Sequence, residues 1–174
     1  MVVALIGLVV IVAIAISSAS KSSSNPANDV VVRSIDGQIQ VNVPPAWSVK
    51  TDLNDKAHLQ VSDSSKEMYL IVLSDNKGDY TDMDLDRHAN TTLDSLTKAM
   101  TTSTRNGPTR LTIDGKPAVQ YEVRGEIKNL NVVYLHTTVE TAKHYQQIVS
   151  WTLQSMYPER EDTLKRVIKS FKEN

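Results

Sequence analysis

The chain opens with an uninterrupted apolar segment, Val2–Ile16, which contains one glycine and no charged side chain. Such a segment must be buried on every side, so a folded water-soluble domain rarely begins with one. The run is shorter than the roughly 20 residues that a membrane-spanning helix needs, although the small residues 17–20 can extend it. Residues 1–17 therefore predict a transmembrane anchor or a secretory signal, with a buried core helix as the remaining alternative.

Two features of this segment bear on the choice between anchor and signal. The small residues of Ala13-Ile14-Ala15 and Ser18-Ala19-Ser20 are typical of signal cleavage sites. Signal peptides carry a lysine or arginine before the apolar run, and this sequence has none there. The missing positive charge favours an anchor, and it also indicates that the natural start lies upstream. Lys21 is too little charge to set an orientation by the positive-inside rule. Cleavage and membrane orientation therefore stay open.

A polar stretch, residues 18–29, separates the apolar segment from the rest of the chain. It consists of Ser, Ala, Asn and Pro with one Lys and one Asp, a composition that cannot build a core. It predicts a flexible linker, and residues 30–174 predict one folded domain.

The composition of the whole chain excludes several kinds of chemistry. There is no cysteine, which rules out disulfides, thiolate zinc sites, a cysteine nucleophile and a lipid-modified cysteine anchor. The 19 basic and 20 acidic residues give a net charge of −1, and a nucleic-acid-binding domain is clearly basic. We expect no nucleic-acid partner.

The first half of the domain reads as two strand pairs followed by a helix. The β-prone runs Val30–Val32 and Ile39–Val43 flank Asp36-Gly37, a tight-turn signal. A second strand pair follows, 58–61 with 68–73. Apolar residues then recur every three or four positions from Leu85 to Met100, which predicts a helix capped by Thr81 or Asp82. We expect that helix to end before Asn106-Gly107-Pro108.

The second half reads as four strands and a closing helix. Strands 110–113 and 118–123 are joined through Asp114-Gly115, and strands 130–139 and 144–153 form a longer hairpin. Residues 159–171 predict an amphipathic helix. This order predicts an α+β fold, an antiparallel β-sheet sandwiched by helices.

Residues 36–171 resemble the PsbP/Mog-like superfamily, which includes the DcrB-type envelope proteins. The resemblance rests on four motifs in the same order and spacing: 43–47 (VPPAW), 113–118 (IDGKPA), 145–157 (YQQIVSWTLQSMY) and Ser170-Phe171. It implies an α/β/α sheet–helix sandwich. The superfamily's members are mostly non-enzymatic, among them photosystem II subunits, a nuclear Ran-GTPase binder and envelope lipoproteins, so it implies a binding role and no cofactor. The chain lacks the cysteine of the lipoprotein members, so its apolar segment is expected to replace the lipid.

Two groups of side chains are candidates for a metal site. Asp82, Asp84 and Asp86 have the alternating spacing of calcium loops, but the glycine and glutamate that an EF-hand requires at its sixth and twelfth positions are missing. The other interpretation is that these acids begin a helix, where their negative charge interacts favourably with the helix dipole. His136 and His144 face each other across the long predicted hairpin, with Glu140 between them. The other interpretation is that both are surface histidines on a strand.

Three aromatic residues, Trp47, Tyr134 and Trp151, are candidates for a pocket or a partner surface, with core packing as the other interpretation. No nucleophile-elbow, dinucleotide or phosphate-loop motif occurs in the sequence.

The sequence therefore predicts a non-catalytic binding or assembly module that is membrane-anchored or exported. Residues 1–17 would contact the membrane, and the domain would lie in the periplasm or at the cell surface with a protein partner. Two alternatives remain: a small-ligand- or metal-binding domain, possibly enzymatic, and a structural envelope protein.

Overall fold

The structure is a computed structural model that describes residues 26–174. The predicted anchor or signal, residues 1–17, and most of the predicted linker, 18–29, lie outside the described residues. Within 26–174, none of the helices has the length and apolar character needed to cross a membrane. A short 3₁₀ turn, Pro26–Asn28, leads into the first strand.

The domain contains ten strands and two α-helices. In chain order they are β1 (Val30–Arg33), β2 (Ile39–Val43), β3 (Ser48–Val49), β4 (Leu59–Asp63), β5 (Met68–Asn76), α1 (Leu85–Lys98), β6 (Thr102–Ile113), β7 (Lys116–Ile127), β8 (Leu130–Glu140), β9 (His144–Leu153), α2 (Tyr157–Lys169) and β10 (Lys172–Glu173).

Seven of the strands form one antiparallel sheet in the order β3-β4-β5-β9-β8-β7-β6. Its two central strands, β8 and β9, are joined by the predicted long hairpin, in which Tyr134 pairs with Trp151 and Glu140 with Tyr145. Both are buried along almost their whole length. The edge strands are β3 on one side and β6 on the other.

Each face of this sheet packs against a different apolar layer. Helix α1 covers one face with Leu85, Ala89, Leu93 and Leu96, which join a cluster containing Trp151. Helix α2 covers the opposite face with Leu164, Val167 and Ile168, which join a cluster containing Trp47. The predicted antiparallel sheet sandwiched by helices is confirmed.

A second, three-stranded sheet lies on the α2 side, in the order β1-β2-β10. The predicted β1–β2 hairpin is confirmed, with Val30 opposite Val43 and Gly37 at a positive φ of 71° in its turn. One face of β2 packs into the α2-side core through the buried side chains of Ile39, Val41 and Val43. The C-terminal strand β10, absent from the sequence-based prediction, pairs with the other edge of β2.

The start of α1 corrects the predicted cap. The cap is Asp84, whose backbone is extended and whose Oδ1 accepts a hydrogen bond of 2.8 Å from the Arg87 N–H. Asp82 instead has a positive φ of 56° in the preceding turn. Capping at Asp84 places Leu85 in the first helical turn, where it is the first of the buried residues along α1.

Helix α1 ends at Lys98, before Asn106-Gly107-Pro108 as predicted, but β6 begins at Thr102, earlier than the predicted residue 110, and runs through this segment. Strand β6 pairs with β7 from Thr102 to Ile113, and a register shift between Asn106 and Thr109 absorbs the glycine and proline. Gly107 has a φ of 125°, and a Cβ there would lie 2.9 Å from the Gln120 carbonyl oxygen. A β-bulge thus replaces the turn that the Asn-Gly-Pro sequence indicates.

Candidate functional site

A polar cleft of about 210 Å³ lies where the β1–β2 turn approaches the main sheet. Its walls come from that turn, from the start of β4, from the end of β5 and from the start of β9. The polar residues that line it are Asp36, Gln38, His58, Ser74, Asn76, His144 and Gln146.

One wall is a chain of hydrogen bonds that ends on β10. His144 Nδ1 lies 2.8 Å from Glu173 Oε1, so this ring nitrogen carries a proton. Gln146 Nε2 donates to the same carboxylate oxygen at 2.8 Å, and its own Oε1 accepts from Ser74 Oγ at 2.6 Å. The C-terminal strand thereby holds two side chains of the cleft in fixed orientations.

The Glu173 carboxylate in this wall stays ionised. Burial acts to raise its pKa, but hydrogen bonds from Thr141, His144 and Gln146 outweigh that effect, and the pKa is lowered. A negative charge is therefore retained behind His144.

The opposite wall is set by the β1–β2 turn. Asp36 Oδ1 accepts hydrogen bonds from Ser34 Oγ at 2.5 Å and from Gln38 N at 3.0 Å. The Ser34 hydroxyl, followed by the Gln38 backbone and the nearby His58, lowers the Asp36 pKa. The Ser74 backbone N–H donates a hydrogen bond of 3.3 Å to His58 Nδ1, which holds this ring against the end of β5.

The cleft can therefore bind polar groups through fixed donors and acceptors. Each carboxylate is already hydrogen-bonded to neighbouring protein groups, and the Ser74 hydroxyl donates to Gln146. Within residues 26–174, His, Asp and Glu side chains form no cluster of three or more that could hold a metal ion.

An apolar groove of about 80 Å³ adjoins the cleft and shares His58 with it. It runs between β1 with its turn and the β3–β4 segment. Val32 and Ile35 line one side, and Val49 and Leu59 line the other. Ile35 is fully exposed at the turn, with a relative accessibility of 104%.

The three predicted acidic residues do not converge on one point. Asp84 caps α1, and Asp86 forms an ion pair of 2.7 Å with Arg110 of β6. Asp82 uses its carbonyl oxygen to accept from the Arg87 side chain. Each residue has a separate contact at the start of the helix.

The structure also separates His136 from His144. His136 lies on the α1 side of β8, completely buried, with Nε2 3.1 Å from Thr92 Oγ1. Burial, followed by the positive charges of His88 and Arg105, lowers the His136 pKa to about 4. His144 contacts β10 on the opposite side of the sheet, so the two rings do not share a site.

The three aromatic candidates are buried. Trp47 is 7% exposed in the α2-side core. Tyr134 and Trp151 are 0% and 3% exposed in the α1-side core, where their rings lie 5.8 Å apart. Their side chains pack inside the domain and line neither the cleft nor the groove.

Sequence reasoning identified His144 but missed the rest of the cleft. Asp36 was recognised only as a turn residue, and His58 and Glu173 had no local signal. These residues come from four parts of the chain that are far apart in sequence, and the pairing of β10 with β2, of β4 with β5 and of β5 with β9 brings them together.

The comparisons with known proteins rest on structure alone, since no family model and no curated protein matches the sequence. Cyanobacterial PsbP (CyanoP) from Synechocystis superposes with a TM-score of 0.64 at 11% identity, covering 90% of this chain and 98% of that chain. The Saccharomyces cerevisiae Ran-binding protein Mog1p gives 0.61 at 14% identity, covering 83% and 95%. LpqN, involved in cell envelope biogenesis of Mycobacterium tuberculosis, gives 0.57 at 13%, covering 82% and 88%. The chain therefore has the PsbP/Mog-like fold, as its sequence motifs indicated.

Proposed function

We propose that this domain is a non-catalytic binding or assembly module that recognises a protein partner through the polar cleft. The observation that carries the proposal is the fixed set of donors and acceptors around it. Asp36 fixes the turn by accepting from Ser34 Oγ and Gln38 N, and Glu173 fixes the His144 and Gln146 side chains, so the surface is organised before any partner arrives. Preorganisation of this kind lowers the entropic cost of binding.

The size of the cleft favours a macromolecular partner over a small ligand. Small-molecule sites usually enclose about 300–1,000 Å³ and are mostly apolar. The cleft here is about 210 Å³ and its lining is dominated by polar side chains. A side chain or backbone segment of a protein fits such a space better than a whole metabolite does.

The fold neighbours support the same class of function. Mog1p is a Ran-binding protein, and LpqN is involved in cell envelope biogenesis. Neither role transfers with a fold alone. The neighbours make protein recognition and an envelope location reasonable proposals for this chain.

The proposed location is extracytoplasmic, with residues 1–17 holding the domain at the membrane. The test is fractionation of a tagged full-length chain with protease protection. We expect the chain in the membrane fraction, with residues 30–174 digested only when protease reaches the extracytoplasmic side. Recovery of the uncleaved chain in a soluble fraction would overturn the anchoring part of the proposal.

The partner surface can be tested by site-specific photo-crosslinking in intact cells. A photoreactive residue at Gln38 should give a discrete adduct with one protein, and that adduct should weaken in the His58→Ala background. Thr109, exposed on β6 at the far edge of the sheet, is the matched control position. Identical adducts at both positions, or none at Gln38, contradict a partner at the cleft.

A further inference from the structure

The large hydrophobic residues that the described part of the chain exposes are gathered in one region. Val30 is 49% exposed, Val31 43%, Ile35 104% and Val49 63%. We call these four residues the edge patch. Exposed apolar side chains scattered singly are ordinary, but a concentration of them marks an interaction surface.

Three residues of the edge patch lie on edge strands, Val30 and Val31 on β1 and Val49 on β3, and Ile35 lies in the β1–β2 turn. Strand β1 is the last strand of the three-stranded sheet, and β3 is the last strand of the seven-stranded sheet. The apolar groove runs between them, lined by Val32 and Ile35 on one side and Val49 on the other. Ile35 and Val49 therefore meet at the groove, and Val30 and Val31 extend the exposed apolar surface along the β1 edge.

The chain enters the domain at this margin. Val30, the first residue of β1, follows the apolar segment Val2–Ile16 after only residues 17–29. If these residues form the flexible linker that the sequence predicts, their root-mean-square span is about 20 Å and their fully extended reach is about 43 Å. If the apolar segment lies in a membrane, the edge patch is held close to the surface of that membrane.

The charges around the patch do not add a strong electrostatic component. The basic residues Arg33 and Lys50 line the groove, and they are matched by the acidic residues Asp29 and Asp36, which directly precede Val30 and follow Ile35. A contact made by this surface therefore depends on apolar burial, and it does not require anionic lipid.

We propose that the edge patch is a second membrane contact, which rests against the bilayer interface and orients the tethered domain. This inference rests on the proposed anchoring by residues 1–17. It places the β3 edge of the main sheet toward the bilayer and the β6 edge about 30 Å away, since neighbouring strands are about 4.8 Å apart. The occupant of the patch is the lipid surface.

The absence of cysteine makes the test direct. Ile35→Cys and Thr109→Cys, each made in the full-length chain, provide one labelling site apiece in exposed positions on opposite margins. Both variants carry an environment-sensitive fluorophore and are reconstituted into phosphatidylcholine vesicles with and without nitroxide-labelled lipid. At position 35 we expect the bilayer to shift the fluorophore emission to shorter wavelength, and we expect the nitroxide lipid to reduce its intensity. At position 109 we expect neither change.

A second variant tests the apolar character of the contact. Val49→Glu in the Ile35→Cys background should restore the emission at position 35 while the protein still floats with the vesicles. Val49 is 63% exposed, so this substitution should leave the unfolding midpoint unchanged.

Flotation and quenching separate the two proposals. A chain that floats but is quenched equally at positions 35 and 109, or at neither, overturns the orientation and leaves the anchor intact. A chain that does not float with the vesicles overturns both.

Discussion

At the scale of single residues, the α1 side of the sheet buries one titratable group that is ionised, Asp75, and one that is neutral, His136. Asp75 is held by His88 at 2.9 Å and by the Gln147 amide. Burial acts to raise the Asp75 pKa, but hydrogen bonds and the charge of His88 prevail and lower it. His136, completely buried beside Thr92, has its pKa lowered to about 4 and is neutral near pH 7.

The neutral state of His136 predicts acid sensitivity. An unfolded histidine takes up a proton near pH 6.5, whereas the buried ring does so only near its folded pKa of about 4. Proton uptake by the unfolded chain between these values lowers the free energy of unfolding as the pH falls. We expect His136 to account for a loss of about 2 kcal/mol between pH 7 and pH 5.

Urea denaturation of the wild type and of His136→Gln at the two pH values measures this effect. The variant should lose less stability on acidification than the wild type does. Equal losses in both proteins would show that His136 does not carry the pH dependence.

At the scale of elements, the end of α2 is joined to the small sheet by two neighbouring residues. Ser170 Oγ accepts a hydrogen bond of 2.8 Å from Asn42 N and donates one of 2.6 Å to the Val167 carbonyl oxygen. Phe171 follows at 1% exposure in the α2-side core. The Ser-Phe motif of the sequence thus connects a helix, a strand and a core.

Truncation of this motif should destabilise the domain in a graded way. Phe171→Ala should cost about 3–5 kcal/mol through lost burial and an internal cavity. Ser170→Ala should cost about 1–3 kcal/mol, because the Asn42 N–H loses its acceptor. Lys172→Ala, an exposed neighbour, serves as the control and should change little. Chemical denaturation of the three variants gives the ranking, and a Phe171→Ala cost equal to that of Lys172→Ala would contradict it.

At the scale of the whole molecule, the two tryptophans report on different layers. Trp47 belongs to the α2-side core and Trp151 to the α1-side core. Both layers pack on opposite faces of the same seven-stranded sheet, so the loss of either layer uncovers and weakens strands on which the other layer depends. The domain is therefore expected to unfold in one cooperative transition.

Single-tryptophan variants test this cooperativity. Trp47→Phe leaves Trp151 as the only indole, and Trp151→Phe leaves Trp47. In each variant, the fluorescence of the remaining tryptophan and the circular dichroism should give the same denaturant midpoint. If either indole changes ahead of the backbone signal, the two layers are separate folding units.

The fold was predictable from local sequence patterns, and the cleft was not. Alternation and turn signals such as Asp36-Gly37 define hairpins that are close in sequence, and the register of β8 with β9 follows from them. The Asn-Gly-Pro segment does not interrupt β6, because pairing with β7 on both sides of Gly107 outweighs local preference. The cleft depends on His58, His144 and Glu173, whose proximity is a tertiary property without a local pattern.

The three-stranded sheet has a mechanical consequence. Strand β1, the first strand after the predicted tether, and β10, the last strand of the chain, both pair with β2 and with no strand of the main sheet. A pulling force applied through the N-terminal segment would reach the β1–β2 hydrogen bonds before it reached the seven-stranded sheet. The β1–β2 hydrogen bonds would then be the first to break under load, so the resistance of the tethered domain to pulling would be set by the small sheet.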